Sequence, residues 1–296
     1  MNERFLHGCH LSIARGFAAS VDQAEALGNS ALQIFTHSPS VWRMRPLSDE
    51  ETARYQNRRT NSGVSFVAVH TMYLLNLASP DEQLYRRSIR AMIEEVNRAA
   101  RLGADLVVTH VGHAMGASSE AAVERAIAAL REIAGSREFR AAAPLQLALE
   151  NTAGSGTAVG ASFDELAALL RDIEPSGRVG ICLDTCHASA AGYDLRTTSA
   201  AHRTLDQLDR SVGLDRLLLV HLNDAIHPRG SRRDRHQHIG RGTIGNEGIA
   251  AVLRHPALRA VPFILETPKH MDDGSDADPV NLAVVRRLRA GKTSRA

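Results

Sequence analysis

Short apolar runs recur along the whole chain, separated by longer segments in which polar and apolar residues mix. A typical run, such as residues 179–183, is about one strand long and lacks the polar alternation of a half-exposed strand. It therefore predicts a strand that is buried on both faces, as in a parallel sheet. The runs cover residues 5–12, 31–35, 65–69, 105–109, 145–149, 179–183, 217–220 and 261–265.

The segments between the runs carry the start and stop signals of helices. Ser48-Asp-Glu-Glu51 and Ser162-Phe-Asp-Glu165 have the sequence of a capping box. Ser79 followed by Pro80 predicts another helix N-terminus, with Ser79 as the N-cap. The predicted helices cover residues 13–27, 48–63, 79–102, 118–133, 201–212, 247–253 and 278–288, and one more starts at residue 162.

Eight strands that are each followed by a helix predict an α/β fold, a (β/α)8 TIM barrel. The main alternative is an open doubly wound sheet, which would gather ligands at one switch point rather than at successive strand ends. The chain has 296 residues, somewhat above the ~250 typical of such a barrel. We therefore expect a single domain over residues 1–296, with the last few residues frayed.

Composition narrows the class of protein. No apolar stretch is long enough to cross a bilayer, and the N-terminus lacks the apolar region of a signal peptide. The three cysteines, Cys9, Cys182 and Cys186, have no framework spacing, which predicts a reducing compartment. We expect a cytoplasmic protein, and a monomer because no strand edge or heptad stripe is left over. The net charge of +2 is too close to neutral to indicate nucleic-acid binding by itself.

An ionisable side chain directly follows six of the eight predicted strands. These are His70, His110, Glu150, Asp184, His221 and Glu266. The carboxyl ends of parallel strands meet at one rim of a closed barrel, so three imidazoles and three carboxylates should converge there. So many buried ionisable groups need cations to compensate them. Imidazole with carboxylate suits Zn, Mn, Fe or Co, and at about three or four protein ligands per ion the set predicts at least two metal ions.

Further candidate ligands lie in the predicted loops. His187 is three residues beyond Asp184, and Asp234 and His236 stand two apart in a polar loop after the seventh strand. Alternate residues of an extended segment face the same way, so this pair suggests a third ion. A single histidine at a strand end is more often a core residue, and a single acid is more often a helix cap. It is improbable that ionisable residues follow six of the eight strands by coincidence.

Other polar residues near the rim have simpler interpretations. Cys182 shares the strand parity of Asp184, and we interpret it as a small buried hydrophobe rather than a ligand. His10 is expected to form hydrogen bonds at the rim. Arg232 and Arg235 belong to an arginine-rich run that flanks two candidate ligands, so phosphate contact is as good an interpretation as a solvated loop.

Five motifs match a known family. They are Leu149-Glu-Asn-Thr-Ala-Gly154, Leu183-Asp-Thr-Cys-His187, Gly192-Tyr-Asp-Leu195, His221-Leu-Asn-Asp224 and Asp234-Arg-His236. In these motifs the chain resembles endonuclease IV, the zinc-dependent apurinic/apyrimidinic endonucleases, and the resemblance extends from His10 to Glu266.

The resemblance implies a TIM barrel with three zinc ions, some of which Mn2+ could replace. It implies that His70, His110 and Glu150 hold one zinc. Glu150 would bridge to a second zinc, and a third would lie nearby. The remaining implied ligands are Asp184, His221 and Glu266 for the second ion and His187, Asp234 and His236 for the third. Glu150, Asp184 and Glu266 would be the catalytic carboxylates.

The implied reaction is hydrolysis of double-stranded DNA on the 5′ side of an abasic site. It leaves a 3′-hydroxyl and a 5′-deoxyribose phosphate, and the family also trims blocked 3′ ends. Tyr73 and Leu74 match residues that the family inserts into the DNA. Ser40 stands where the family commonly has an inserting arginine, and Arg43 or Arg45 could substitute for it.

Two alternatives stay open from the sequence. A sugar-isomerase-like barrel shares the fold and binds metals at strand ends, but it usually needs a catalytic lysine, and Lys269 is the only lysine expected near the rim. A non-enzymatic DNA- or metal-binding protein would hold metal without turnover. The intact ligand set argues against this second alternative.

Overall fold

Eight parallel strands close into a barrel in the computed structural model, which describes residues 5–171, 173 and 176–291. Their order around the barrel is β1-β10-β7-β6-β5-β4-β3-β2. Two further short strands, β8 and β9, pair antiparallel outside it. The bounds are β1 His7–His10, β2 Ala31–Ile34, β3 Phe66–His70, β4 Leu106–Thr109, β5 Gln146–Glu150, β6 Val179–Asp184, β7 Leu217–His221, β8 Asp224–Ala225, β9 His236–Gln237 and β10 Phe263–Leu265. The predicted (β/α)8 barrel and all eight predicted strands are confirmed.

Ten α-helices are found within the described residues, and a helix follows each of the barrel strands. They are α1 Phe17–Ala26, α2 Asp49–Thr60, α3 Glu82–Arg101, α4 Ser119–Ala134, α5 Arg137–Ala141, α6 Phe163–Leu169, α7 Thr185–Ala191, α8 Thr198–Ser211, α9 Gly245–Arg254 and α10 Ala277–Arg289. The predicted capping box at α6 is present in full, because Ser162 and Glu165 each bond the other's backbone N–H. The expected fraying of the last residues concerns residues 292–296, which lie outside the described part.

The predicted N-terminus of α3 is wrong by two residues. Asp81, rather than Ser79, is the N-cap, and its carboxylate accepts a hydrogen bond from Leu84 N at 2.8 Å. Ser79 is buried and its hydroxyl accepts from Asp81 N at 3.1 Å. The serine therefore shapes the turn that leads into the helix, and the aspartate two residues later caps it.

The core has two parts on either side of the strands. The barrel interior is filled by small and branched side chains with 0% exposure: Ala31, Ala68, Leu106, Val108, Ala148, Cys182, Leu219 and Ile264. A larger cluster packs between the outer strand faces and the helices. The interior is thus a packed core, as expected for this fold, and Cys182 is a small buried residue of it, as predicted.

Strand register brings the ends of β6 and β7 level. The pairing shifts at Ile181/Cys182, and beyond the shift Asp184 pairs with His221. Gly180 permits the close approach there, because a Cβ at this position would lie 2.3 Å from the carbonyl oxygen of Arg216. The two strands therefore end side by side at the C-terminal rim, the edge of the barrel where all the strands have their carboxyl ends.

Within the described residues, no helix combines the length and apolar character needed to cross a membrane.

Candidate metal centre at the C-terminal rim

The strand ends converge as predicted. His70, Glu150, Asp184 and His221 are the last residues of β3, β5, β6 and β7. His110 and Glu266 each follow a strand by one residue. The other three candidate ligands join them from α7, from the loop between β8 and β9 and from β9: His187, Asp234 and His236. Each of the nine belongs to at least one of four groups, and within a group the ligand atoms lie within 4.8 Å of one another.

Glu150 lies at the middle of the cluster and is 0% exposed. Its Oε2 is 3.2 Å from His70 Nε2 and 3.5 Å from His110 Nε2. Its Oε1 is 3.0 Å from His221 Nδ1 and 3.3 Å from His187 Nδ1. One buried carboxylate thus contacts imidazoles from four different segments of the chain.

A second group joins Glu150 to the ends of β6, β7 and β10. The ligand atoms of Glu150, Asp184, His221 and Glu266 are mutually within 4.8 Å. His221 Nδ1 lies 3.3 Å from Glu266 Oε2. The two groups share Glu150, so one carboxylate can serve both.

The remaining candidate ligands, His187, Asp234 and His236, form what we call the third group. Their contacts differ from those of the third zinc site that the resemblance implied. His187 and His236 group with Asp184, whereas Asp234 groups with His236 and Cys186. Asp234 still lies close to both imidazoles, at 3.1 Å from His187 Nε2 and 3.4 Å from His236 Nε2. Its side chain is 52% exposed, so it is the most accessible member of the cluster.

Hydrogen bonds fix how four of the imidazoles are turned. In three of them Nδ1 lies 2.7–3.0 Å from a backbone carbonyl oxygen. These pairs are His70–Thr71, His187–Asn151 and His236–Glu266. A carbonyl can only accept, so Nδ1 carries a proton, and Nε2 is the nitrogen that faces the carboxylates and that a metal ion would bind. In His221 the roles are reversed, because Nε2 lies 2.8 Å from Gln33 Oε1 and Nδ1 faces Glu150.

Three amide side chains that the sequence reasoning did not assign hold the carboxylates. Asn223 Nδ2 donates to Asp184 Oδ2 at 2.7 Å, and Asn223 Oδ1 accepts from Glu266 N at 2.9 Å. Asn151 Oδ1 accepts from Asp184 N at 2.6 Å. Gln33 Nε2 donates to Glu266 Oε1 at 2.6 Å. The signal for Gln33 was present, since it is a polar residue within a strand that is buried throughout.

Burial and mutual attraction set the charges of the cluster. Burial alone would raise the pKa of the Glu150 carboxyl, but His110, His221 and His187 hold that pKa well below its usual range. Burial opposes the charged form of His187, yet Asp184, Asp234 and Glu150 hold its pKa well above the usual value. His110 has no such surplus of carboxylates, and burial lowers its pKa to about 4. Ions that bind here therefore compete with protons for the same nitrogens.

The residues expected to contact DNA lie on loops around the cluster. Tyr73 is 63% exposed, and its ring packs edge-on against Phe35 at 5.4 Å between centroids. Leu74 is half-buried and packs against the core. Arg232 and Arg235 are exposed.

The loop that holds Ser40 contains two arginines in different situations. Ser40 and Arg43 are exposed. Arg45 makes a bidentate ion pair with Glu51, at 2.7 and 2.8 Å. Within the described residues Arg43 has no such partner, so it is the free cation of this loop.

Lys269 is not directed at the cluster. Its amine donates to His10 O at 2.7 Å and to both carboxylate oxygens of Asp278, at 2.9 and 3.0 Å. His10 in turn lies 3.3 Å from Glu266 Oε1 and 2.9 Å from Gln33 Nε2, so it takes the expected hydrogen-bonding place at the rim.

Comparisons with known proteins agree with this geometry. A family model described as a xylose isomerase-like TIM barrel matches residues 21–288. "Probable endonuclease 4" of Methanosphaerula palustris is 41% identical over 284 residues, covering 95% of this chain and 97% of the relative. The protein of the same description from Methanoculleus marisnigri is 42% identical over 285 residues, covering 96% and 98%.

Solved structures also resemble this chain in fold. Endonuclease IV from Thermus thermophilus superimposes with a TM-score of 0.82 at 40% identity, covering 97% of this chain and 99% of that one. A D-tagatose 3-epimerase-like protein superimposes with a TM-score of 0.72 at 19% identity. A likeness at that level of identity shows a shared fold alone.

Proposed function

Because the chain belongs to the endonuclease IV family, we propose that it is a DNA-repair endonuclease that cleaves double-stranded DNA at abasic sites. The bond hydrolysed is the phosphodiester on the 5′ side of the site, which leaves a 3′-hydroxyl and a 5′-deoxyribose phosphate. The same centre removes blocking groups from 3′ ends. The observation that carries this proposal is the convergence of four imidazoles on the buried carboxylate of Glu150.

The chemistry of the donor set fits zinc. Two ligand atoms of one tetrahedral zinc lie roughly 3.3 Å apart, given bonds of about 2.0–2.1 Å. The closest nitrogen–oxygen pairs of the cluster, at 3.0–3.5 Å, match that spacing. Two buried nitrogens, the Nε2 atoms of His187 and His236, face the Asp234 carboxylate at 3.1 and 3.4 Å but make no well-aligned hydrogen bond within the described residues. A cation would satisfy both.

We assign three zinc ions to the cluster, with Mn2+ as a possible substitute at some sites. His70, His110 and Glu150 would hold the first, and Glu150 would also serve the second. The second set is completed by Asp184, His221 and Glu266, and the third consists of His187, Asp234 and His236. Bound zinc ions supply a nucleophile at neutral pH and neutralise charge on the phosphate and the leaving oxygen.

The side chains of the protein have their own tasks in this reaction. Glu150, Asp184 and Glu266 hold the reacting groups in place, and the amides of Gln33 and Asn223 keep those carboxylates aligned. Such support fixes ligand orientation before the substrate arrives. Exposed groups around the rim, Tyr73, Leu74, Arg232 and Arg235, bind the distorted duplex.

The sugar-isomerase-like alternative is not favoured by the site. Its reaction needs an amine at the metal centre, and Lys269 is engaged by Asp278 and by the backbone of His10. The non-enzymatic alternative predicts bound metal without turnover. We further propose a monomer that acts in the cytoplasm, a reducing compartment that suits three free cysteines.

One experiment tests the activity. The purified protein is incubated with a duplex that carries a single tetrahydrofuran abasic analogue, before and after prolonged chelator treatment. We expect a nick on the 5′ side that disappears with the metal and returns when zinc is added back. Absence of a metal-sensitive nick would refute the proposal, and bound metal without a nick would favour the non-enzymatic alternative. Turnover of aldose or ketose sugars would favour the isomerase.

A further inference from the structure

Helix α3 buries two charged side chains beneath loops of the C-terminal rim. Glu95 is 1% exposed and Arg98 is 2% exposed. Other inward positions of the helix, such as Met92 and Val96, are apolar. Burying a charge is unfavourable unless it is paired and hydrogen-bonded. What these two residues contact therefore indicates why they are charged.

Arg98 connects the two ends of the loop between β2 and α2, which we call the β2 loop (residues 35–48). Its Nη2 donates to Thr36 O at 2.7 Å, and its Nη1 donates to Arg45 O at 2.8 Å. Its Nε donates to the hydroxyl of Thr36 at 3.0 Å. The planar guanidinium thus holds the start and the end of the loop at a fixed separation.

Glu95 connects the β2 loop to the loop between β3 and α3, which we call the β3 loop (residues 71–81). Its Oε2 accepts from the Thr36 hydroxyl at 2.6 Å, and its Oε1 lies 3.0 Å from His37 Nε2. Oε1 also accepts from Met72 N in the β3 loop at 3.3 Å. A single carboxylate therefore binds both loops.

The hydroxyl of Thr36 is the link between the two charges. It accepts from Arg98 and donates to Glu95, and Thr36 lies two residues beyond the end of β2 with 0% exposure. Removing this one oxygen would leave both charged groups short of a partner while the helix and the strand keep their other contacts.

The two loops meet next to the metal centre. Tyr73 N donates to Pro39 O at 3.0 Å, which joins the loops directly. The ring of Tyr73 packs on Phe35, and the ring of Phe35 packs edge-on against the candidate ligand His70 at 5.6 Å. Any shift of the β2 loop would therefore move the exposed Tyr73 relative to the metal centre.

We propose that Thr36, Glu95 and Arg98 are positioning residues that hold the β2 and β3 loops in the arrangement that binds damaged DNA. The inference rests on the proposed function, because it assigns these loops a place in substrate binding. It assigns no chemical step to the three residues, which lie beneath the loops and away from the substrate.

The chain contains its own reporter for this arrangement. Trp42 is the only tryptophan and lies within the β2 loop. Its ring lies under the guanidinium of Arg87, a residue of α3, at 4.2 Å. Quenching of Trp42 fluorescence by acrylamide therefore reports how firmly the loop is held to α3, and it does so without DNA.

The test compares Thr36→Val, which loses the hydroxyl, with Thr36→Ser, which keeps it. For Thr36→Val we expect stronger quenching of Trp42 and a KM for the abasic duplex that rises by about tenfold to a hundredfold. We expect kcat to change by less than about threefold and metal content to stay the same, because a KM change alone marks a loss of binding rather than of chemistry. Thr36→Ser should restore both readouts.

Glu94→Gln is the matched control, because Glu94 precedes Glu95 on the same helix but is exposed. It should change neither quenching nor KM. If Thr36→Val does not fold, Arg98→Lys serves as the test variant instead. Lysine keeps the positive charge but lacks the planar guanidinium that reaches both ends of the loop.

Unchanged quenching in the folded variant would overturn the proposal, as would increased quenching with an unchanged KM. A loss of metal or a fall in kcat alone would also overturn it, because either would show that the network supports the metal centre instead of the loops. Failure of the proposed function would be distinguishable, because in that case the unmodified protein itself would not nick the duplex.

Discussion

The Nε2 atoms of His187 and His236 face the same carboxylate, that of Asp234, at 3.1 and 3.4 Å. The two ring centroids are 5.4 Å apart, and both Nε2 atoms are buried and make no well-aligned hydrogen bond within the described residues. Buried nitrogens that lack a partner are unfavourable in a folded protein. Their position next to an exposed carboxylate is the arrangement that the proposed third cation would complete.

Replacing His236 by alanine should remove one metal ion and leave the rest. The change deletes a ligand of the third group alone, whereas Glu150 and its contacts with His70 and His110 stay intact. We expect the zinc content of the purified protein, measured by elemental analysis, to fall by about one equivalent. His270→Ala is the control, because that histidine is exposed and belongs to none of the four candidate groups. An unchanged zinc content in His236→Ala would contradict the assignment.

Glu150→Gln should abolish most of the activity while the barrel stays folded. Glutamine keeps the shape of the side chain but loses the charge that four imidazoles share. Loss of one centrally placed charged group commonly reduces kcat by about 10²–10³. Nicking of the abasic duplex measures the loss, and circular dichroism checks the fold. Wild-type turnover in this variant would show that Glu150 does not bridge two ions.

Tyr73→Ala should weaken binding of abasic DNA without altering the metal content. The exposed ring offers a stacking surface beside the metal centre, and such stacking contributes about 1–3 kcal/mol per base. Binding is measured by fluorescence anisotropy in the Glu150→Gln background, where cleavage of the duplex is slow. Tyr73→Phe, which keeps the ring, should bind normally. Equal affinities for the alanine and phenylalanine variants would place the inserting residue elsewhere.

Arg43→Ala should weaken DNA binding, and Arg45→Ala should have little effect on it. Arg45 is held by the carboxylate of Glu51, whereas Arg43 is free to reach a phosphate or the base stack. Each phosphate contact contributes about 0.9 to the slope of log K against log salt concentration. A salt titration of both variants measures this slope. The assignment is wrong if Arg45→Ala reduces the slope and Arg43→Ala does not.

The three cysteines should resist alkylation in the folded protein. All are buried, and burial raises the pKa of the Cys182 and Cys186 thiols to about 12 and that of Cys9 further. The thiolate is the reactive form, so at pH 8 little of it is present, and reactivity should rise only with unfolding or at strongly alkaline pH. Labelling with and without denaturant, followed by mass spectrometry, measures this. Rapid labelling of native Cys186 would show that the third group is more open than the structure indicates.

The strand-end ligands could be predicted because their positions follow from one rule. A closed parallel barrel gathers every carboxyl strand end at one rim, so an apolar run that stops at a charged residue fixes the place of that residue in space. His110 and Glu266 were found this way although the strands that they follow are far apart in the chain.

Residues placed by side-chain hydrogen bonds were harder to predict. The N-cap of α3 moved from Ser79 to Asp81 because both residues can cap a helix, and only the fold decides which hydroxyl or carboxylate faces the helix end. The seven-residue helix α7 is too short for a periodic pattern. Asn223 gave no signal of its role, because its partner Asp184 is distant in sequence and only the register of β6 and β7 brings the two together.

The pairing of β1 with β10 has a consequence for how the protein is made. Glu266 follows the last barrel strand, and that strand closes the barrel against the first one. During synthesis on a ribosome, every other candidate ligand emerges before Glu266 does. A nascent chain that stops short of β10 therefore lacks both the barrel's final seam and a carboxylate of the second group. An ion proposed for that group would find its full set of ligands only after the last strand has been translated and has docked.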